Sequence, residues 1–559
     1  MLTGLHLGNF KAFAETQRIP LRPLTLIYGA NSAGKSSIIQ SLVLARHALE
    51  TGDLDVHRTT VGGEAVDLGG FRQYVHRREL KRRVEWAVDL DASKFKGKLV
   101  EFFAPVRTVT MAVSFGVELD DQDRPLPASV PAVNTYEIKA DGHSVLRMSR
   151  RRDGKLRLDS LDHQHPVFRE AIKAMVLFSS TTEDLRPEDY EGLDEAVTAL
   201  VPEIVAAGSR FLPDGLVKSD VFAPGGQTTL FTISKGRRRE DLAAALRSFL
   251  PRKLDELLKG VSEVVTSEMS RLQYLGPLRS YPPRHLAFSQ NHDPNWYAGG
   301  GYAWDVIRRD ARVRGLVNEW LNSKTRLQTP YELVIRELVG LDQLESPILH
   351  GMERMDEDGL EIRPDYDDKP EPEGHFPAIK DVEKEAAKMV DAIRTSEIEK
   401  LAELILMDRR SNTVVSHRDV GIGISQVLPV LVSAYSADRR ILAVEQPEIH
   451  LHPALQADLG DVLIQSALGE GGNTCVIETH SEHLLLRIMR RMRETAQGKI
   501  KGLPPVRSSD ISLVFVQRHE ARSVAIELRL DDEGMLLDPW PGGFFEEGFR
   551  ERFSEPGEQ

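Results

Sequence analysis

Apolar and polar positions change period several times along the chain, and each change marks an element. Leu24-Thr25-Leu26-Ile27-Tyr28 is a short apolar, β-rich run that predicts a buried strand. Ser37–Ala45 spaces its apolar residues as a helix does. Residues 1–28 read as two or three strands, with Asn9-Phe10-Lys11-Ala12-Phe13 as a hairpin turn. From about 66 to 150 the period is two, in Val84–Leu90, Thr108–Val113 and Tyr136–Ala140, predicting an antiparallel sheet with one wet face. Helical spacing takes over between 165 and 270, in Ala171–Val176, Glu240–Leu250 and Lys253–Met269, with Pro251 kinking or splitting the run. Tyr274–Arg279 returns to strand and turn, and Gly299-Gly300-Gly301 opens onto a helix over Ala303–Asn322. Residues 352–375 combine acidic charge with proline, the composition of a solvated loop, and Asp381–Arg409 reads as one long helix of mixed charge. Two apolar strands follow, Ile441–Glu445 and one ending in Val476-Ile477-Glu478, interleaved with helices over Val427–Tyr435, from Ala454, and over Glu482–Glu494.

The pattern is that of an α/β protein with an antiparallel β lobe and an inserted helical region. Its segments are 1–150, half of an α/β head with the lobe; 151–270, the insertion; 271–400, a connecting region with the acidic loop and long helix; 401–530, the other half of the head; and 531–559, a tail. A length of 559 residues exceeds what one hydrophobic core serves. A net charge of -13 argues against coating nucleic acid through an overall field, though not against a local basic stripe. The single cysteine, Cys475, excludes an internal disulfide framework and a cysteine zinc site, and sits in an apolar strand run. With no signal-peptide pattern and no apolar run near the roughly 18 residues of a membrane span, a cytoplasmic location without a membrane partner is expected.

Between the first strand and helix lies Gly29-Ala30-Asn31-Ser32-Ala33-Gly34-Lys35-Ser36, which fits G-x-x-x-x-G-K-[ST] at every fixed position and leads on to Ser37. Strand, glycine loop and helix together form a phosphate cradle, because loop N–H groups and the helix N-terminus point at the anion. Lys35 would reach the β- and γ-phosphates, and Ser36 would sit on Mg²⁺. The expected ligands are therefore ATP and Mg²⁺. Glu445, a carboxylate ending an apolar strand, would hold the metal with Ser36. Gly421-Ile422-Gly423-Ile424-Ser425-Gln426 opens an apolar helix and reads either as a second anion site or as an ordinary N-cap. His480, at the end of a buried strand, lies on the rim where open α/β sheets bind ligands.

In order and spacing, the Gly29–Ser36, Ser425, Glu445 and His480 motifs resemble the Walker A, signature, Walker B and H-loop of ABC-type P-loop ATPase heads. More closely, the chain is similar to the RecF/SMC/OLD-like branch of bacterial AAA-family proteins, whose opening strand Leu5–Phe13 resembles. Glu445-Gln446-Pro447-Glu448-Ile449-His450-Leu451-His452-Pro453 and Glu478–Leu484 resemble a subgroup that includes anti-phage defence ATPases of the PtuA type, and Asp538–Glu546 resembles that subgroup's terminal domain of unknown function. The resemblance implies a homodimer or higher oligomer of heads, with ATP held between Lys35 of one copy and the Gly423-Ser425-Gln426 motif of the other. It also implies a separate effector, a nuclease or toxin, because the stretch after His480 lacks the acid-bearing strands of a nuclease domain. The alternatives are a RecF-like DNA-structure sensor and an ATP-locked scaffold.

One position departs from the family. Where ABC heads carry a glutamate after the Walker B acid, this chain has Gln446. Glutamine cannot accept a proton but can orient a water, so slow hydrolysis is expected, with Glu448 as a candidate substitute. His450 and His452 lack a third ligand nearby, which favours a loop over a metal site. Arg279 reads equally as a phosphate or an ion-pair contact. Basic runs at 77–83, 150–152, 235–239 and 487–493 read as solvated surface, with a DNA or RNA groove as the alternative.

Overall fold

The computed structural model describes residues 2–126, 129–179, 185–208, 211–217, 239–279, 295–323, 326, 328–338, 390, 401–415 and 422–543. These form two compact units: Met1–Tyr281 with His292–Ala303 and Val420–Gln559, and Pro282–Asn291 with Trp304–Asp419.

The run predicted as a buried strand is β3 (Leu24–Gly29), and all six of its residues are buried. It lies inside a six-stranded sheet with β9 (Leu272–Leu275), β13 (Ile441–Glu445), β14 (Thr474–Glu478), β15 (Ile511–His519) and β16 (Arg522–Leu528), in the order β16-β15-β3-β14-β13-β9. β15, β3, β14, β13 and β9 run parallel, and only β16 is antiparallel. Helices Lys35–Thr51, Ile422–Ser436 and Pro453–Leu468 pack against these strands. Strands covered by helices lose polar alternation, which is why β3, β13 and β14 read as continuous apolar runs. In this register Glu445 pairs with Glu478, and Glu478 with Ile27. Both acids and the glycine loop therefore lie along one edge of the sheet.

The period-two region forms a seven-stranded antiparallel sheet ordered β2-β1-β4-β5-β6-β7-β8. Its members are β1 (Leu2–Gly8), β2 (Gln17–Pro20), β4 (Val84–Asp91), β5 (Thr108–Gly116), β6 (Ala132–Ala140), β7 (His143–Arg150) and β8 (Leu156–Leu161). The expected turn is present: Phe10 and Phe13 exchange backbone hydrogen bonds of 3.0 and 2.9 Å. The helical stretch contains Arg169–Ser179, Leu193–Leu200 and Arg239–Ser270. Pro251 lies inside the last of these without splitting it. Leu246, Leu250, Leu254, Leu257 and Leu258 bury one face of that helix across the proline, so packing carries it through the lost hydrogen bond.

In the second unit β10 (Tyr331–Leu338), β11 (Leu401–Asp408) and β12 (Thr413–Val415) form an antiparallel sheet. The long helix expected over Asp381–Arg409 is therefore wrong from Leu401 onward, where eight residues pair with β10. Mixed charge imitated a helical face, but Leu404, Ile405 and Leu406 are buried in the strand. The helix expected over Ala303–Asn322 is two helices, Tyr302–Arg309 and Ala311–Asn322, because Asp310 caps the second by accepting from the Val313 N–H at 3.0 Å. Asn318 of that second helix clasps the main chain of Leu333, both bonds being 2.9 Å. The acidic loop at 352–375, the rest of the long helix apart from Val390, Arg237, Arg238 and Gly421 lie outside the described residues.

Candidate functional site

The glycines of the phosphate loop are dictated by close approach. A Cβ on Gly29, whose φ is +145°, would stand 2.0 Å from the Val516 carbonyl oxygen of β15. A Cβ on Gly34, whose φ is +100°, would stand 2.8 Å from the Ala12 methyl. Gly34 caps helix Lys35–Thr51 with no side-chain hydrogen bond; the Ser37 N–H donates to the Gly34 carbonyl at 3.1 Å, while no side chain caps the N–H groups of Lys35 and Ser36. Two remote segments brace this loop. Ser523 at the start of β16 donates its hydroxyl to the Ala33 carbonyl at 2.6 Å, and its N–H to the Ala12 carbonyl at 2.8 Å. Trp540, in the terminal segment, packs edge-on against Tyr28, with ring centroids 5.9 Å apart.

Lys35 is buried and donates to the carbonyls of Gly29 and Ala30 at 3.1 and 3.0 Å. Burial lowers its pKa, opposed chiefly by the nearby charge of Glu478, whose Oε1 is 3.9 Å from Nζ. Ala30, Asn31 and Ser32 stand exposed at the loop's crest. Ser36 and Ser37 open the helix, Ser36 partly accessible and Ser37 buried.

Three carboxylates gather at the strand ends. Glu445 is buried and accepts the Tyr274 hydroxyl at 3.0 Å; burial, then the Glu478 charge, push its pKa up to about 8. Glu478 is raised by burial, while hydrogen bonding by Ser36 and the charge of Lys35 pull it back. Glu448 is raised by burial, and its Oε1 accepts the backbone N–H of His480 at 2.6 Å. Burial lowers the His480 imidazole, and its Nε2 is buried with no hydrogen-bond partner, as is Glu478 Oε2. Acidic oxygens and an imidazole left unsatisfied beside a glycine loop and a buried lysine fit a magnesium triphosphate, whose phosphates and cation would complete them.

Gln446 departs from ordinary backbone, with φ +45°, and donates its N–H to the Glu478 carbonyl at 2.7 Å. It is only partly exposed, next to Glu445. The Ser425 motif lies differently from its sequence reading. Ser425 is the fourth residue of helix Ile422–Ser436 and is 1% exposed within its own chain. A Cβ on Gly423 would meet the His450 carbonyl at 2.7 Å. The side chain of Gln426 is buried against Arg279.

Among the described residues Arg279 makes no ion pair with a carboxylate, and its guanidinium donates to carbonyls. It is buried, and its Nη2 donates to the Glu445 carbonyl at 2.8 Å. Desolvation lowers its pKa to about 10. The ion-pair alternative for Arg279 is not met among the described residues, and Glu478 joins the site by the same signal as Glu445, an acid ending a buried strand. His452 is a helix N-cap, its Nδ1 accepting from the Ala454 N–H at 3.3 Å, and among the described residues no group of three or more His, Cys, Asp or Glu side chains is placed to hold a metal ion.

The basic run at 487–493 is largely neutralised within the fold. Arg487 and Arg491 both bridge to Asp461 at 2.7 Å, and Arg490 to Glu494 at 2.8 Å. Arg151 pairs with Asp159 and Arg82 with Glu79. An open cleft of about 660 Å³ is lined by Lys11, Arg77 and Arg78 together with Asp67.

Among the described residues no helix is long and apolar enough to cross a membrane. Residues 335–487 match the family model "AAA domain, putative AbiEii toxin, Type IV TA system", and residues 4–61 match an AAA-domain model. No curated protein matches the chain. Among solved structures it is similar to the SmcHead bound to the C-winged helix domain of ScpA, at 10% identity and TM-score 0.33 over 95% of this chain and 98% of that one. It is similar at 10% identity and TM-score 0.32, over 94% and 96%, to an Smc head with an extended coiled coil bound to the ScpA C-terminal domain derived from Pyrococcus furiosus. The SMC head domain from Thermotoga maritima follows at 9% and 0.30, over 95% and 99%. Scores this low define no fold, which stands on the sheet order and loop geometry above. One matched segment contains the phosphate loop and the other runs from β10 through Glu445 and His480, and with this geometry they support a nucleotide-binding P-loop ATPase.

Proposed function

We propose that this chain binds ATP with Mg²⁺, hydrolyses it slowly, and uses the bound nucleotide to hold two copies together head to tail as a sensor or regulator. The observation that carries the ATP reading is the convergence of Lys35, Ser36, Glu478 and Glu445 along one edge of a parallel sheet, from segments more than 400 residues apart in sequence.

In this reading the loop N–H groups and Lys35 hold the β- and γ-phosphates, while Ser36 and Glu445 hold the cation, which would neutralise charge developing on the phosphates. The free Nε2 of His480 is a donor for the γ-phosphate. Gln446 orients the attacking water, and Glu448 fixes the His480 backbone. In this reading the Gly423-Ser425-Gln426 motif meets the nucleotide of the second copy, although Ser425 is buried within its own chain.

A role in anti-phage defence, with a separate nuclease or toxin as effector, rests on the likeness of Glu445–Pro453 and Glu478–Leu484 to defence ATPases. The description of the matching family model as a toxin of a toxin–antitoxin system supports the same setting. A second reading, an ATP-locked scaffold with negligible turnover, is favoured by Gln446, whose amide takes no proton.

The test is titration of the full chain with a non-hydrolysed ATP analogue, alongside Lys35→Ala. Wild-type binding that the variant lacks supports the reading, and equal binding overturns it. Light scattering with and without the analogue checks the pairing.

A further inference from the structure

We infer that Glu478 is a second carboxylate for the magnesium ion of the bound triphosphate, acting with Glu445 where one acid is usual. The inference rests on the nucleotide reading above and adds a ligand to it.

β14 lies between β3 and β13, so Glu478 stands one strand nearer the glycine loop than Glu445, a step of about 4.8 Å. The two acids have partners on opposite sides. Glu445 accepts its bond from Tyr274 on β9, the strand farthest from the loop. Glu478 has its Oε1 3.9 Å from Lys35 Nζ, and it ends β14, the strand paired with β3, from which the glycine loop leads to Ser36. Its side chain is only 5% exposed, yet Oε2 has no hydrogen-bond partner. A buried carboxylate oxygen left bare beside a serine and a lysine of a phosphate loop is costly unless something cationic completes it. Lys35 alone is a poor explanation, since it spends two donors on the Gly29 and Ala30 carbonyls. A hard divalent cation takes several oxygen ligands, and an acid here can hold it directly or through a coordinated water.

The bland alternative makes Glu478 only the counter-charge of Lys35. The two predict different things. If Glu478 is a counter-charge, Glu478→Gln frees Lys35 and changes nucleotide affinity equally with or without metal. If it is a metal ligand, the variant loses the tightening that Mg²⁺ gives while keeping or improving metal-free binding.

The full chain is titrated with a fluorescent non-hydrolysed ATP analogue in Mg²⁺ and in EDTA. Bound Mn²⁺ is counted by electron paramagnetic resonance as a readout independent of turnover. Glu478→Gln is expected to lose about tenfold or more of the Mg²⁺-dependent tightening and of Mn²⁺ affinity in the ternary complex. Glu478→Asp, which withdraws the carboxylate by one carbon, should lose an intermediate amount and carries the test if the Gln variant does not fold. A Mg²⁺-to-EDTA affinity ratio equal to wild type in both variants overturns the assignment of Glu478 alone. Wild type that binds no analogue in either condition overturns the nucleotide reading beneath it.

Discussion

Gln426 grips the main chain of Arg279 from both sides, its Oε1 3.2 Å from the Arg279 nitrogen and its Nε2 2.8 Å from the Arg279 oxygen. The arginine then reaches the carbonyls of Glu445 and Gln446 at 2.8 and 3.3 Å. The loop after β9, the end of β13 and helix Ile422–Ser436 are thereby pinned at one point. In a low-dielectric interior these charge-assisted bonds fix where the Glu445 strand end sits.

Breaking that pin should be expensive. Arg279→Ala leaves buried carbonyls without donors and is expected to cost about 3 kcal/mol, with Gln426→Ala costing about 1–2 kcal/mol. Denaturant unfolding of the full chain measures both. A cost near zero for Arg279→Ala would show that the carbonyls find other donors.

The loop glycines offer a sharper steric test. Gly29→Ala places a Cβ 2.0 Å from the Val516 carbonyl, backbone that cannot yield as a side-chain tip does. It should destabilise the fold by about 2 kcal/mol or more and abolish nucleotide binding. Gly142→Ala, at a φ of +86° with nothing within 4 Å of its Cβ, supplies the control for backbone strain alone and should leave binding intact.

Stability should fall with rising pH in one window. Burial holds the Glu445 carboxyl protonated to about 8, against an ordinary value of 4.5, and Glu448 and Glu478 shift the same way. Between those values the folded chain binds more protons than the unfolded one, so this contribution is complete below about 4.5 and is lost as pH rises through 8. The thermal midpoint of the chain in EDTA, compared at pH 6 and pH 9, should drop, and Glu445→Gln should flatten the drop. A midpoint that rises over the same interval contradicts the burial argument.

Turnover should respond to the residue after Glu445. Gln446→Glu restores a group able to accept a proton and should raise phosphate release if position 446 holds the water. An unchanged rate moves that role away from Gln446, and Glu448→Gln is then the variant to assay.

Much of this protein was determined by local pattern. The period-two stretch could only be sheet, the glycine loop is identified by fixed residue types, and β3, β13 and β14 announce themselves as apolar runs because helices cover them. Pattern failed where local preference and packing disagree. Leu401–Asp408 carries helical charge spacing but becomes a strand because β10 supplies its partner, and Pro251 does not interrupt a helix whose leucines are buried on both sides of it. Only the tertiary structure decided that Glu478 lies nearer the loop than Glu445, that Arg279 donates to the Glu445 and Gln446 carbonyls, and that Ser425 is buried. Residue types constrain which contacts are chemically allowed, but strand order decides which allowed groups meet, and no local period along the chain encodes it.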